Sequence, residues 1–419
     1  MLRIIHTADW HLGQNFFSYD RTAEHEHFLD WLARELTDRS IDALLIAGDV
    51  FDVSNPSATS QRMFYRFLSR VSRENPGLQV IVTAGNHDSA SRLEAPMPLV
   101  EDLRVTIKGV VRKIAGEIQL DDLVVPIQNK EGEVEAFCLA VPYLRQGDYP
   151  AVETEGNAYA EGVRELYRQL IAHTEIKRTS SQALIAMGHL QATGSEIAEK
   201  DHSERTIIGG LESISPDVFD GQVAYVALGH IHKAQRVSGR EQVRYAGSPL
   251  SMSFAEKHYK HGVVCVSIEE GKLKEIEKVE YTPLVSMCSV SATQSASPEE
   301  VLEELQNLPE REDSISTAPY LEVKVLLDEP NPMLPQEIRD IVSKKQVRLA
   351  RITTTFRQGG RSEADEELLT AGLDGMNPLD IIKAAYEKRY NSDIPENLLE
   401  LFHKTCVSLE LIEKEEGNQ

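Results

Sequence analysis

Short apolar runs alternate with amphipathic segments from the N-terminus to about residue 280. The runs with the length and β-branched content of buried strands are LRIIHTAD, DALLIAGD, QVIVTAGN, QALIAMGH and VAYVALGH. The segments between them place apolar residues at helical spacing. Alternation of this kind is typical of a layered α/β domain.

Two of the amphipathic segments predict helices with one apolar side. Between Arg21 and Thr37, residues Phe28, Leu32 and Leu36 recur every fourth position and therefore lie on one helical face. A second helix is predicted from Ser57 to Arg73, with its apolar residues also on one side. We expect both helices to pack on a sheet.

The second of these helices carries the clearest basic stripe in the chain. At about 100° per residue its four arginines fall within an arc of about 80°. They are Arg62, Arg66, Arg70 and Arg73. Such a stripe is either an ordinary solvated helix face or a surface that contacts a phosphate backbone or another subunit. The sequence leaves both interpretations open.

The pattern changes after Tyr281. From about residue 283 to 356 the apolar runs and amphipathic segments follow the order β-α-β-α-β, which predicts a small α+β unit. We therefore divide the chain into an α/β domain over 1–280, the α+β unit over 281–357, a flexible acidic linker over 358–376 and a helical module over 377–419.

The helical module is predicted to contain two helices, from Pro378 to Tyr390 and from Pro395 to about Ile412. The second places Leu398, Phe402 and Leu409 on one face. That is more apolar surface than two isolated helices can bury on each other, which favours a docking module for a partner helix or coiled coil. The alternative is that this face packs back onto its own domain.

Charge and composition limit the functions that are compatible with the chain. A net charge of -23, from 44 Lys and Arg against 67 Asp and Glu, should repel polyanions unless local patches or bound cations intervene. The N-terminal segment lacks the features of a signal peptide, and no apolar run is long enough for a membrane span. The four cysteines are far apart without metal or disulfide spacing, which fits a reducing cytoplasm.

Five strand candidates end in residues that can bind metal ions. Four of them finish with a glycine and then a donor side chain, at Asp49, Asn86, His189 and His230, and the first is followed by Asp9 and His11. In open α/β sheets the carboxyl ends of the strands meet where ligands bind. The repetition of the pattern predicts that these side chains converge at one edge of the sheet.

Residues i and i+2 of an extended segment point to the same side, so we expect Asp9 to project with His11 and His230 with His232. Asp9, His11, Asp49, Asn86, His189, His230 and His232 are too many ligands for one tetrahedral site. They suit two ions that share a bridging carboxylate. Imidazole, carboxylate and amide donors favour manganese, iron or zinc over calcium, and we take two Mn²⁺ ions as the expected cofactors.

The ordered blocks DWH, GDVFD, GNHD, GH and GHIH resemble the calcineurin-like metallophosphoesterase superfamily. Within it, HTADWHLGQ, AGDVFD, ALGHIHKAQ and YAGSPLSMSF are similar to a family of bacterial DNA-repair nuclease subunits, over nearly the whole chain. The resemblance implies a layered α/β metallophosphoesterase sandwich with a small α+β capping domain and C-terminal helices. The loop GSPLSMSF gains a role only through this resemblance.

The resemblance also implies residue roles. It puts one metal on Asp9, His11 and His232 and the other on Asn86, His189 and His230, with Asp49 bridging both. His87 becomes a catalytic histidine that protonates the leaving oxygen or stabilises developing charge. Asp88 either orients His87 or caps its loop.

The implied activity is metal-dependent DNA cleavage, with 3′-to-5′ exonuclease action on duplexes and endonuclease action on single strands and hairpins. The implied setting is DNA recombination and replication, in a nuclease homodimer that works with an SMC-like ATPase. The sequence has no G-x-x-x-x-G-K-[ST] phosphate loop, so we expect the partner to handle ATP. The alternatives are a phosphatase or phosphodiesterase for smaller substrates and a DNA-tethering scaffold with structural metals.

Overall fold

The computed structural model describes residues 1–129, 131–196, 213–219, 221–291, 296–312 and 314–356, together with single residues and short runs between 382 and 403. The chain divides into two compact units, Met1–Ser286 and Met287–Gln419. The predicted linker over 358–376 lies outside the described residues, and so does most of the predicted helical module. The domain limits given above therefore stay a prediction.

The first unit contains both helices that the N-terminal pattern predicts. Its helices within the described residues are α1 (Thr22–Asp38), α2 (Ala58–Glu74), α3 (Ala90–Glu94), α4 (Met97–Val100) and α5 (Ala158–Glu175). Its strands there are β1 (Leu2–Thr7), β2 (Asn15–Phe16), β3 (Tyr19–Asp20), β4 (Ala43–Ala47), β5 (Gln79–Thr83), β6 (Val105–Lys108), β7 (Lys113–Ile114), β8 (Glu117–Ile118), β9 (Val124–Gln128), β10 (Val134–Ala140), β11 (Ala183–His189), β12 (Tyr225–Gly229), β13 (Gln235–Val237), β14 (Arg240–Tyr245), β15 (Gly262–Glu269) and β16 (Lys272–Glu280).

Two six-stranded sheets organise the described part of this unit. The first, sheet I, has the order β16-β15-β1-β4-β5-β6, with β1, β4, β5 and β6 parallel. The second, sheet II, has the order β13-β14-β12-β11-β10-β9, with β10, β11, β12 and β14 parallel. Antiparallel strands flank both parallel centres.

The two sheets pack on each other through small and branched apolar side chains. One buried cluster joins Ala43, Leu45 and Ala47 of sheet I to Ala183 and Ile185 of sheet II. Close packing of small residues allows the sheets to approach each other, and this burial excludes water from the layer between them. The outer face of sheet I is covered by α1 and α2, and that of sheet II by α5. The predicted layered α/β sandwich is therefore confirmed.

The cap and the buried apolar face of helix α2 explain why the sequence pattern identified this helix. Ser57 caps its first turn by accepting a hydrogen bond from the backbone N–H of Ser60 at 3.1 Å. Phe64 and Leu68 are fully buried against sheet I and α1. Replacing a buried Phe such as Phe64 by Ala should cost about 3–5 kcal/mol, because the cavity is only partly refilled.

The second unit has the predicted order of elements. They are β17 (Met287–Val290), α6 (Pro298–Gln306), β18 (Tyr320–Leu327), α7 (Leu334–Val342) and β19 (Arg348–Phe356) among its described residues. The three strands form a parallel sheet in sequence order. Ser297 and Glu300 form a capping box at the start of α6. No helix among the described residues has the length and hydropathy needed to cross a bilayer.

Candidate metal centre

The predicted ligands follow strands that belong to two sheets. Asp9, Asp49 and Asn86 come just after β1, β4 and β5 of sheet I, whereas His189 ends β11 and His230 follows β12 of sheet II. The expectation of a single sheet edge was therefore wrong. The carboxyl ends of both parallel centres lie at the same end of the sandwich, and the donors face each other across the layer between the sheets.

The backbone at these positions is not extended, which corrects the argument from i and i+2 spacing. The φ angles are 55° at Asp9, 45° at His11, 48° at Asp49 and 101° at His230. A non-glycine residue with positive φ is strained by about 1–3 kcal/mol, and such residues cluster at functional sites. At these four residues the side chain is directed by left-handed backbone and not by alternation along a strand.

Two of the glycines in the repeated pattern are required by close approach. A Cβ at Gly85 would collide with the backbone N and side chain of Asp49, and one at Gly229 would collide with the carbonyl oxygen of Ala47. Gly229 lies in sheet II and Ala47 in sheet I. The absence of a side chain at Gly229 therefore lets the two sheets meet at the site.

Donor atoms gather in two groups that share Asp9, and His11 forms a third group with Asp52 and His87. One ligand atom each from Asp9, His11 and His232 lie within 4.8 Å of one another, and the same holds for Asp9, Asp49 and His189. Asp49 Oδ2 lies 3.7 Å from His11 Nε2 and 3.3 Å from His189 Nε2. This position between the groups is the one expected for a bridging carboxylate.

The remaining predicted ligands surround the amide of Asn86. Its Oδ1 lies 2.9 Å from His189 Nε2 and 3.1 Å from His230 Nδ1. The structure thus brings together all seven residues proposed as ligands from the sequence. Whether they divide between two metals in the implied way stays a prediction.

The chemistry of these side chains fits divalent cations. Both ring nitrogens of His11 are buried and have no hydrogen-bond partner among the described residues. Unpaired buried nitrogens are costly unless they bind something. The buried carboxylates of Asp9 and Asp49 lie beside them, so the site offers both charge and donor atoms to a cation.

The ionisation of the cluster points the same way. Burial raises the pKa of the Asp9 carboxyl above its ordinary value, although the neighbouring imidazoles oppose this. Burial opposes protonation of His189, but Asp49 and then Asp9 outweigh it and raise the pKa of this imidazole to about 9. The carboxylates of Asp49 and Asp9 therefore favour positive charge at His189.

His87 sits beside the donor groups without being one of the proposed ligands. Its backbone N–H donates to Asp49 Oδ1 at 2.8 Å, and its Nδ1 donates to the carbonyl oxygen of Asp52 at 2.8 Å. Because a carbonyl oxygen can only accept, this contact places a proton on Nδ1. In the neutral ring the other nitrogen, Nε2, then carries the lone pair.

Asp88 makes the contacts of a loop cap. Its carboxylate accepts hydrogen bonds from the backbone N–H groups of Val50, Phe51 and Gly85 at 3.1, 2.9 and 2.9 Å. Burial and the neighbouring Asp49 raise its pKa to about 6. The contacts of the His87 ring described above involve other groups, so the structure favours the capping alternative over direct orientation of His87.

Two carboxylates beside the cluster were not found by sequence reasoning. Glu256 is buried and its Oε1 accepts a hydrogen bond from His232 Nδ1 at 2.9 Å. Asp52 Oδ1 lies 3.4 Å from His11 Nδ1. Asp52 could have been noticed as the second acid of GDVFD. Glu256 has no ligand spacing, and only its place after the GSPLSMSF loop singles it out.

The basic stripe of α2 is partly neutralised. Arg70 forms ion pairs with Asp30 of α1 and with Glu74 of its own helix. All four arginines line an open groove together with Tyr65 and Ser69. The pairing of Arg70 favours a solvated face at this position and leaves the rest of the stripe open to either interpretation.

Comparison with known proteins places these features in a family context. Residues 2–234 match the family described as calcineurin-like phosphoesterase, and residues 283–390 match the type 5 capsule protein repressor C-terminal domain. A protein of Rhodobacter capsulatus, the SbcD subunit of the nuclease SbcCD, is 36% identical, covering 87% of this chain and 90% of the relative. Its namesake in Escherichia coli is 31% identical, covering 87% and 88%. A dimetal phosphatase structure from Danio rerio aligns at 12% identity and a TM-score of 0.37, covering 67% of this chain and 99% of that one.

Proposed function

The chain belongs to the calcineurin-like phosphoesterase family and, within it, to the SbcD family of nuclease subunits, and from this premise we propose that it is a metal-dependent nuclease subunit that hydrolyses DNA phosphodiester bonds. The observation that carries the proposal is the convergence of seven donor side chains from two sheets, with His87 beside them. A scaffold protein needs the donors but has no use for an acid at that position.

The proposed ligand sets are Asp9, His11 and His232 for one ion and Asn86, His189 and His230 for the other, with Asp49 shared. Divalent cations bound there supply Lewis acidity to the phosphate and to water. We take Mn²⁺ as the metal. The charge of the ions would also offset the carboxylates and so reduce the repulsion of DNA by an acidic chain.

His87 is the residue proposed to handle the proton of the leaving group. Burial lowers its pKa, which keeps the free imidazole neutral. A phosphate that approaches Nε2 brings negative charge and so favours the protonated ring. His87 could then donate this proton to the departing 3′ or 5′ oxygen, while the Asp52 carbonyl holds the ring through Nδ1.

The finer activities are part of the same proposal. They are 3′-to-5′ exonuclease action on duplex DNA and endonuclease action on single strands and hairpins, in recombination and replication. We further propose that the chain works in the cytoplasm as a homodimer bound to an SbcC-like SMC ATPase. The segment 377–412 is the proposed docking site for the coiled coil of that partner.

A single set of reactions tests the activity. The purified chain, with and without the ATPase partner, is incubated with Mn²⁺ and either end-labelled duplex DNA, hairpin DNA or bis-p-nitrophenyl phosphate. We expect DNA to be cleaved. A duplex labelled at its 3′ end should release the labelled nucleotides from that end. Rapid hydrolysis of the small ester with intact DNA would identify a small-molecule phosphodiesterase instead.

Two variants complete the experiment. Asp49→Asn should remove both metal binding and cleavage, whereas His87→Ala should remove cleavage and keep the metals. Full cleavage by the His87→Ala protein with normal metal content would contradict the proposed mechanism. Copurification of the ATPase with the full chain, and its loss when 377–412 is deleted, tests the partner.

A further inference from the structure

Two imidazoles of the metal centre are held through Nδ1 by groups of different charge. His232 Nδ1 lies 2.9 Å from a carboxylate oxygen of Glu256, and His189 Nδ1 lies 2.9 Å from the backbone carbonyl oxygen of Ala47. Both histidines are buried, and so is Glu256. The two proposed metal positions therefore differ in the group that accepts a hydrogen bond from Nδ1 of one histidine ligand.

Glu256 is fixed on both of its oxygens. While Oε1 accepts from His232, Oε2 accepts a hydrogen bond from the backbone N–H of Met252 at 2.8 Å. The loop that carries Met252 is itself held, because Arg21 donates to the carbonyl oxygen of Ser251 at 2.8 Å. Arg21 is in turn paired with buried Glu24 at 2.9 Å. These hydrogen bonds hold the Glu256 carboxylate in one orientation, and that orientation fixes the ring of His232.

A carboxylate that is hydrogen-bonded to an imidazole changes how strongly the imidazole binds a cation. It accepts the Nδ1 proton and so leaves the Nε2 lone pair for a cation, and its charge makes the ring a stronger donor. A backbone carbonyl, as at His189, fixes the tautomer without adding a full negative charge. The carboxylate of Asp52 lies 3.4 Å from His11 Nδ1 without a hydrogen bond between them, and its negative charge acts in the same direction.

The ligand charges add to the same difference. Besides the shared Asp49, the proposed ligand sets give the first position the carboxylate of Asp9 and the second the neutral amide of Asn86, although a ligand atom of Asp9 also lies within 4.8 Å of one of His189. We propose that Glu256 is a positioning residue for His232, and that through it the position formed by Asp9, His11 and His232 binds divalent cations more tightly than the position formed by Asn86, His189 and His230. This inference rests on the ligand sets of the proposed function.

Binding of Mn²⁺ alone tests the inference on the full chain, with free ion followed by electron paramagnetic resonance. We expect two classes of site in the unaltered protein whose affinities differ by about tenfold or more. In Glu256→Gln the tight class should weaken by about 10- to 100-fold while the weak class stays unchanged. Glu269→Gln removes an exposed acid paired with Lys274 and should change neither class.

Cleavage measured against Mn²⁺ concentration separates positioning from a general structural defect. Glu256→Gln should need more Mn²⁺ for half-maximal rate and should regain most of its maximal rate at saturation. A lost maximal rate at every concentration, with unchanged metal affinity, would overturn the inference.

Single ligand variants keep the inference testable if Glu256→Gln does not fold. His232→Asn should abolish the tight class and His189→Asn the weak one, and the reverse assignment would refute the proposal. Two sites of equal affinity in a protein that cleaves DNA would refute this inference and leave the proposed function standing. Two unequal sites in a protein that leaves DNA intact would support this inference and contradict the proposed function.

Discussion

The metal centre and the arginine face of α2 are both patterns of charge that stand out in the sequence, but they are built in different ways. The metal centre joins residues as distant as Asp9 and His230, whose contact spans 221 positions. The arginines come from a single helix, and Arg70 is already paired with two acids. Helical periodicity produces a stripe whether or not it binds anything, whereas donors from separate strands meet in a buried site only if something holds them there.

The largest effect should come from the residue that joins the two donor groups. Asp49→Ala removes the carboxylate that lies within 4 Å of both His11 and His189. We expect a loss of at least about 4 kcal/mol of transition-state stabilisation, which is roughly 10³-fold in rate. Metal content by mass spectrometry and cleavage rates would measure it. Asp30→Ala, which removes a partner of Arg70, is the matched control and should retain both.

The next effect should separate proton transfer from metal binding. His87→Gln keeps a polar side chain but removes the ionisable ring, so the cleavage rate should fall about 10²- to 10³-fold. The number of bound metal ions should not change. A loss of metal together with activity would make His87 a ligand and would enlarge the metal centre by one residue.

Metal binding should also stabilise the first unit. Mn²⁺ at a hundred times its dissociation constant should raise the free energy of unfolding by about 2.7 kcal/mol if only the native state binds it. Thermal unfolding with Mn²⁺ and with a chelator measures this shift. Arg66→Glu should show the same shift as the unaltered protein, because the arginine face does not take part.

A smaller effect tests the role of Asp88. Asp88→Asn leaves one carboxamide oxygen and adds N–H donors where three backbone N–H groups now point, which should destabilise the protein by about 1–3 kcal/mol. Cleavage by the folded fraction should stay within a few-fold of normal. A large loss of rate with unchanged stability would instead support the alternative in which Asp88 orients His87.

The smallest effect is expected at the arginine face itself. Arg70→Gln removes the positive charge from two surface ion pairs, and such pairs contribute about 0–1 kcal/mol. DNA affinity and its dependence on salt should therefore stay nearly unchanged. If the arginines of the stripe contact phosphates, each substitution should reduce the slope of log affinity against log salt by about one, and Arg66→Glu is the variant that would reveal it.

The sequence predicted where helices and strands lie better than it predicted which of them lie next to each other. Strand and helix periodicity identified α1, α2 and the β-α-β-α-β order of the second unit, because these features depend on local spacing. It did not divide the strands between two sheets, since β4 and β11 look alike as apolar runs. The same limit hid the backbone of Asp9 and His11, which have positive φ and donate backbone hydrogen bonds to the carbonyl oxygens of Gly48 and Asp49 on a distant segment.

The site residues show the same difference between local sequence patterns and contacts that form only in the folded chain. The seven donors were recognisable because each follows a strand, and strand ends are visible in the sequence. Glu256 was missed because its relation to His232 exists only after the loop between them folds back. For Asp88 the sequence left two roles open, and the choice depended on which backbone N–H groups lie within reach of the carboxylate.

The alanine-rich layer between the sheets has a consequence for how mutations should be classified. Sheet I carries Asp9, Asp49 and Asn86 and sheet II carries His189 and His230, so the thickness of the layer sets the gap that the ions must span. Ala47, whose carbonyl oxygen closely approaches Gly229 of the other sheet, is therefore a spacer as well as a core residue. A single added methyl group there would move one half of the catalytic apparatus away from the other, and a change in the hydrophobic interior would be felt as a change in chemistry.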